Sequence, residues 1–380
     1  MKMSQYCRTA IQIGMARSRD MAVIHCFGVG LVGSYVAKRL AQAGHEVHAY
    51  DPKPHRVIGI QGIEIHLLEP GEDPVEVMVR DCPVDDGFAI DLVVNMLPGS
   101  IGHASTTALA ASPWRTIDLS FSEFTPDRDD EKAREHGASI LWDVGIAPGL
   151  SNMLLSEAYR DFGSLKKAEV RVGGNPTEPT GGWNYMAPFS PIDVIAEYTR
   201  PARVIRDSAE VTLPALSEKH IIEVPEKGDM EAFLTDGLRS LLNSIPVIEM
   251  SEYTVRWPGH IQMFIDKRDS GVLDEVDLQS QWQYDSKTPE FTWMEVMAEA
   301  FDGRRVTWTV QDHGSDDGHS MARCTGLVTY CCIIEWLEDP DMLPPGVHAP
   351  ESLPSEVISR IINMMLDEGV EIIGPVTSHS

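Results

Sequence analysis

The chain has 380 residues, 43% of them hydrophobic, enough for two packed units with a sizeable core. Its 31 basic against 58 acidic side chains give a net charge of −27, which argues against binding a phosphate backbone or an anionic membrane surface. No apolar run is long enough to cross a bilayer, and the six cysteines (Cys7, Cys26, Cys82, Cys324, Cys331, Cys332) show no CxxC pair. Reduced thiols in a cytoplasmic protein are therefore expected.

Residues 1–20 are set apart by Lys2, Arg8, Arg17 and Arg19 against one acid, Asp20. They read as an N-terminal extension, either a transit-like segment or the product of an upstream start codon. Met21–Phe27 is a short apolar strand, followed by a glycine-rich turn and a helical pattern from Leu31 to Ala43 that Gly44 stops. Glu46–Tyr50 is a second strand ending at Asp51, and Ile63–Leu68 a third candidate. Asp91–Leu97 is a buried strand bounded by Pro98 and Gly99. A helix over Ile101–Ala111, a strand over Arg115–Phe121, a charged helix over Asp127–His136 and a strand over Ala138–Val144 complete the unit. Strand alternating with helix predicts an α/β, Rossmann-type doubly wound parallel sheet over residues 21–145.

The pattern changes after Gly145. A helix is expected from Ser151, a strand over Lys167–Val172, a Gly/Pro/Thr loop over Gly173–Gly182 and a helix over Met230–Ile245. Phe291–Ala300 and Val306–Gln311 read as strands around an Asp302-Gly303 turn. Successive strands without intervening helices predict an α+β substrate and oligomerisation domain with an antiparallel sheet over residues 146–320. The final segment, 321–380, is read as helical at Met321–Leu337 and Leu353–Asp367.

The sharpest motif is Gly28-Val29-Gly30-Leu31-Val32-Gly33, a GxGxxG between a predicted strand and a predicted helix. There Gly28 permits the tight turn, Gly30 lets backbone approach a pyrophosphate, and Gly33 lets helix pack on strand. The free N–H groups of the helix start suit phosphate. The bland alternative is a strand–helix turn without a ligand. Asp51 supplies the acid that accepts from ribose hydroxyls and repels a 2′-phosphate, so NAD is expected over NADP, with nearby Lys53 and Arg56 softening the choice. Leu97-Pro98-Gly99 ends the next strand where ligands lie in this fold, or is simply a strand-ending turn. No HExxH, Walker A, GxSxG or zinc-spaced Cys/His set is present, so no metal is expected.

With these motifs in order, the chain resembles the saccharopine dehydrogenase-like family, and within it the lysine 6-dehydrogenase branch. The resemblance runs from Met21 to Gly369 through GVGLVG from Gly28, LPGSIG from Leu97, DLSFS from Asp118, DVGIAPGLSN from Asp143 and VGGNP from Val172. It continues through FSPIDVIAEYTRPARVI from Phe189, EAFLTDGLRSLL from Glu231, VRWPGH from Val255 and SMARCTG from Ser320. Saccharopine reductases of the group carry GLDPG where this chain reads Gly145-Ile146-Ala147-Pro148-Gly149. The resemblance implies NAD-dependent oxidative deamination of L-lysine at the 6-amino group, to allysine and its cyclised piperideine carboxylate. It also implies C-terminal helices that return to the Rossmann domain and a homodimer or larger homo-oligomer. A saccharopine- or carboxynorspermidine-type reductase and a non-catalytic NAD-binding regulator are the alternatives.

Such chemistry needs a cation for the substrate carboxylate, acids for the amines and a base. Arg239 and Arg256 are the carboxylate candidates, with Arg200 and Arg203 behind them. Asp143, at the end of the last Rossmann strand, is the candidate for amine binding or proton transfer, or else caps the next helix. Asp118, Asp193 and Asp236 are weaker candidates, and His260 is the preferred histidine base. Gly145 and Pro148 join Gly28, Gly30, Leu31, Val32, Gly33, Asp51, Leu97, Pro98 and Gly99 as the expected cofactor site.

Overall fold

The computed structural model describes residues 21–82, 90–179, 181–187 and 191–379. The expected N-terminal extension, and Phe189 and Ser190 of the longest motif, lie outside the described residues.

Among the described residues, the first unit has six strands: β1 (Val23–Phe27), β2 (Glu46–Asp51), β3 (Ile63–Leu67), β4 (Leu92–Asn95), β5 (Arg115–Asp118) and β6 (Ser139–Trp142). They pair in parallel in the order β6-β5-β4-β1-β2-β3. Their near-continuous apolar runs are what a sheet covered on both faces requires. Helix α1 (Leu31–Gln42) follows β1, α2 (Pro74–Asp81) follows β3, α3 (Gly99–Leu109) follows β4 and α4 (Asp130–His136) precedes β6. Asp73 caps α2 by accepting from the Val75 amide, and Gly137, in the left-handed region, ends α4. The strand order reverses between β1 and β4, the point where a doubly wound sheet leaves a crevice at its carboxyl edge.

The second unit begins with α5 (Leu150–Phe162) and the long strand β7 (Leu165–Pro176), which absorbs Gly173–Pro176 of the expected loop. After α6 (Pro191–Thr199) come β8 (Ala202–Arg206), β9 (Ala209–Leu213), β10 (His220–Val224), β11 (Gly228–Leu234) and β12 (Val247–Arg256). Strands β13 (Glu290–Glu299) and β14 (Arg304–Asp312) form the expected hairpin. The sheet is mixed rather than antiparallel throughout, because β12 and β7 pair in parallel. The helix expected over Met230–Ile245 is a correction: its first half is β11, held between β10 and β12, and only Leu241–Ser244 is helical. Met, Glu, Ala and Leu favour helix intrinsically, but ladder pairing and a buried face override that preference.

The C-terminal segment returns to the first unit, and not by helices alone. Helix Ser320–Glu338 lies against α1, close enough that a Cβ on Gly326 would meet the Tyr35 ring at 2.4 Å. Gly346–His348 then adds a seventh parallel strand beside β6. The final strand, Glu371–His379, joins the outer edge of the second sheet at β14. One apolar core runs through both units, from Ile24 and Leu92 to Val170, Met294 and Trp336. No helix among the described residues is long and apolar enough to cross a membrane.

Candidate active site

The carboxyl edge of the parallel sheet and the face of the second sheet enclose a cleft of roughly 620 Å³. One end is built from the glycine turn. β1 ends at Phe27 and α1 starts at Leu31, so the intervening glycines turn the chain sharply. Gly28 has φ +80, and a Cβ there would meet the Met96 carbonyl at 2.8 Å. A Cβ on Gly33 would collide with the Gly28 carbonyl at 2.1 Å. Gly30 differs: a Cβ there would meet no protein atom within 4 Å, and it faces the cleft. Its bareness serves no internal packing, so the space is of use to a bound group, as a pyrophosphate against the start of α1 requires.

Asp51 closes this end. Its carboxylate accepts from the Val29 amide at 2.8 Å and the Lys53 amide at 2.6 Å, which ties the end of β2 to the glycine turn. Each oxygen keeps a further lone pair for a ribose hydroxyl. Lys53 and Arg56 line the same end. Leu97 and Pro98 line the cleft with Ile101; Gly99 does not, because it packs where a Cβ would strike the Phe121 carbonyl at 2.0 Å. Gly145, Ile146, Ala147 and Pro148 form the opposite wall, braced by Met321 and Thr325 of the returning C-terminal helix. These residues fit an extended dinucleotide.

Towards the second sheet the lining becomes charged. Arg256, at the end of β12, is buried; its Nε donates to the Tyr198 hydroxyl at 2.9 Å and its Nη1 to the Val255 carbonyl at 3.0 Å. Its guanidinium stacks 4.5 Å from the Tyr185 ring. These hydrogen-bond partners are neutral, and among the described residues the only acid charge felt directly is that of Glu197, which acts without a hydrogen bond to the guanidinium. Asp193, Glu197 and Glu252 line the cleft beside it, with Thr254 donating to Glu197 at 3.1 Å. Burial pushes the Glu252 carboxyl up to about 8, helped by the neighbouring charge of Glu197, while Thr235 opposes the shift by donating to it at 2.6 Å. Burial raises Glu197 as well. Gly237 makes room for Glu252: a Cβ there would stand 2.5 Å from its carboxylate.

The other predicted site residues take different places. Asp143 lines the cleft, but its carboxylate is gripped by Arg239 through two bonds, 2.8 and 3.0 Å long. Arg239 also donates to the Ser122 carbonyl and lies between the rings of Phe121 and Trp142, 4.6 and 5.2 Å away. The guanidinium is fully buried and outside the cleft lining, so two residues chosen for separate tasks neutralise each other across the two units. Both backbones sit at positive φ, 57 at Asp143 and 53 at Arg239. His260 lies outside the lining, with Nδ1 at 2.8 Å from the Trp183 carbonyl and Nε2 at 3.1 Å from the Tyr198 hydroxyl. Burial lowers its pKa to about 3, which leaves a neutral ring that steadies Tyr198 and, through it, Arg256. Asp118 also stands outside the lining; it accepts from Thr106 and the Ser120 amide, and burial raises it to about 7. Arg203 makes a two-bond pair with Asp236, and Arg200 sits 3.7 Å from the same carboxylate. Glu197, Glu252 and Thr254 escaped the sequence argument, although Glu197 lies within FSPIDVIAEYTRPARVI and Glu252 three residues before VRWPGH.

The family of the saccharopine dehydrogenase C-terminal domain matches residues 145–370. Among solved structures, the fold is similar to saccharopine dehydrogenase (L-Glu forming) from Saccharomyces cerevisiae, at 14% identity and TM-score 0.71, covering 94% of this chain and all of that one. It is also similar to homospermidine synthase from Legionella pneumophila, solved in complex with NAD, at 11% identity and TM-score 0.58, covering 93% of this chain and 91% of that one.

Proposed function

Since the chain belongs to the saccharopine dehydrogenase family, we propose that this NAD(P)-dependent dehydrogenase uses NAD to oxidise the terminal amine of a diamino monocarboxylic acid, L-lysine, releasing ammonia. The observation that carries this reading is the charge inventory of the cleft. One buried guanidinium whose hydrogen bonds all go to neutral groups, Arg256, shares the cleft lining with three acids, Asp193, Glu197 and Glu252. A ligand with one carboxylate and two amines complements that set. Saccharopine itself carries three carboxylates and would bring two of them against acids, which must then stay protonated or repel them.

Arg256 has only neutral hydrogen-bond partners, with Glu197 acting on it through its charge alone, and a substrate carboxylate supplies a direct partner for the guanidinium fork. Glu197 and Glu252 then receive the amine at the other end. The ε-ammonium has a reference pKa near ~10.4 and must lose a proton before its lone pair can assist bond breaking. Glu252, ionising at about 8, is the acceptor for that proton. The dinucleotide, when bound, accepts the hydride from the substrate carbon. The acids stabilise the cationic carbon–nitrogen double bond that results, water adds to its carbon, and the C–N bond breaks to give aldehyde and ammonia. Leu97, Pro98 and Ile146 keep the wall beside this centre apolar.

Lysine-dependent NADH formation from about pH 7 to about pH 10 tests the assignment, with a rate that rises as Glu252 and the amine lose protons. Absence of that activity, with clear reductive coupling of an amine to an aldehyde, would move the protein to a secondary-amine-forming reaction. The same charge set favours a carboxynorspermidine-type product as second reading, because that product also carries a single carboxylate among amines.

A further inference from the structure

On the α2 side of the parallel sheet, away from the cleft, three histidines and a cysteine gather, edged by acids: Glu46 lies 3.2 Å from His48 Nε2, Glu64 3.9 Å from His48 Nδ1 and Asp81 3.4 Å from His66 Nδ1. His25 of β1 and His48 of β2 are register partners on adjacent parallel strands, and their rings stack 4.7 Å apart. His66 of β3 brings its Nε2 to 2.9 Å from His48 Nδ1. Cys82, just past the end of α2, places its Sγ 3.9 Å from the same nitrogen. His25, His48 and Cys82 are all buried, and one ligand atom from each lies within 4.8 Å of the others. His25 Nδ1 meets the Tyr50 hydroxyl at 3.0 Å, but its Nε2 is buried with no hydrogen-bond partner. Buried polar atoms are nearly always satisfied, so this orphan marks a place for an ion or water beside His25, whose Nδ1 shares the Tyr50 hydroxyl with Cys82 Sγ, 3.8 Å from it.

We infer that His25, His48 and Cys82 form a site for one divalent transition-metal ion, Zn²⁺ by donor chemistry, that ties β1 and β2 to the end of α2. Two imidazoles and a thiolate suit Zn²⁺ and exclude the hard cations that prefer oxygen. Metal–nitrogen bonds of about 2.0 Å and metal–sulfur bonds of about 2.3 Å set tetrahedral donors roughly 3.5 Å apart, so closure draws the three groups inward by ~1 Å. The Cys82 thiol gives its proton to solvent as the ion binds. An ion there would brace the two strands whose carboxyl ends carry the glycine turn and Asp51, without touching the catalytic cleft. Linear spacing hides the set, because its members come from two strands and a helix end that the sheet brings into register.

The test uses the full chain, stripped with chelator and kept reduced, and titrated with Co²⁺. One equivalent should produce a thiolate-to-cobalt charge-transfer absorption that Zn²⁺ displaces. Cys82→Ser should abolish the absorption while NAD binding stays as in the parent, and His25→Gln should weaken Zn²⁺ at least tenfold. At one fixed Zn²⁺ concentration Tm should rise on the order of 3 °C in the parent, by less in His25→Gln and not in Cys82→Ser. No charge-transfer absorption in the parent overturns the proposal and leaves a water beside His25 instead. An absorption that persists in Cys82→Ser overturns it equally. Where that serine variant fails to fold, unchanged Zn²⁺ affinity in His25→Gln does the same.

Discussion

Replacing Arg256 by Met removes the only cation that, among the described residues, lines the second-sheet end of the cleft, while keeping most of the side chain's apolar volume. Inside the protein the guanidinium gives up its bonds to the Tyr198 hydroxyl and the Val255 carbonyl and its stack on Tyr185. Each of these hydrogen-bond partners is neutral; their loss, and that of the charge that lowers the pKa of buried Glu197, is offset because the buried guanidinium no longer has to be desolvated. Stability should therefore change by no more than about 1 kcal/mol. The bond to the substrate carboxylate is worth about 1.5–3 kcal/mol, so its absence is equivalent to a fall of roughly 10- to 150-fold in kcat/KM for lysine. The decarboxylated analogue, 1,5-diaminopentane, has nothing to lose at this position. The assay compares kcat/KM for the two amines in parent and variant, with Tm recorded beside it. Equal losses for both would refute the reasoning and leave Arg256 a structural cation.

Other perturbations separate the remaining roles. Asp143→Asn should destabilise the protein by about 3–5 kcal/mol, read as a lower denaturation midpoint, because it strands buried Arg239 without its charge partner. Gly30→Ala should leave Tm unchanged yet weaken NAD at least ~10-fold by titration, since its Cβ would meet only a ligand, whereas Gly33→Ala should lower Tm through its 2.1 Å clash with Gly28. Asp51→Ala should narrow the kcat/KM preference for NAD over NADP by roughly tenfold, and a parent enzyme that prefers NADP would contradict the assignment. Glu252→Gln should flatten the pH–rate rise near 8; it should also stabilise the protein in alkali. The folded carboxyl holds its proton up to about 8 and the unfolded one releases it near 4.5, so stability falls across that interval in the parent and not in the variant.

The cofactor end was legible because its requirements are local. A strand, a glycine turn and a helix succeed one another in sequence, and Asp51 follows at the end of the next strand, so spacing reports the site. The second unit was harder because its residues do not announce their element. β12 reads Val-Ile-Glu-Met-Ser-Glu-Tyr-Thr-Val-Arg, with charged and hydroxyl groups spread through it, and looks like an exposed segment. It is a central strand between β11 and β7, and most of it is buried. Glu252 is concealed for that reason: an acid in a strand interior reads as solvated, and only the fold makes this strand the floor of a cleft. The register of β1 with β2 likewise places His25 beside His48, a proximity invisible in one dimension.

Charge type alone does not divide the labour among the charged residues of the two units. Asp143 and Arg239 stand 96 positions apart, and each suited a substrate group when considered singly. Brought together they satisfy one another, with a geometry that joins the end of β6 to the loop after β11. Arg256 has the same chemistry as Arg239 and a different circumstance, since its hydrogen bonds go to tyrosines and a carbonyl and no carboxylate grips its fork. The difference is decided by which acids the fold brings within reach: an arginine that finds a carboxylate becomes part of the frame, and one that does not is available to a ligand. His260 belongs to the same support, because a neutral imidazole at 3.1 Å fixes the Tyr198 hydroxyl that Arg256 donates to. Truncating His260 should therefore act on the substrate through the orientation of Arg256, raising KM for lysine more than it lowers kcat.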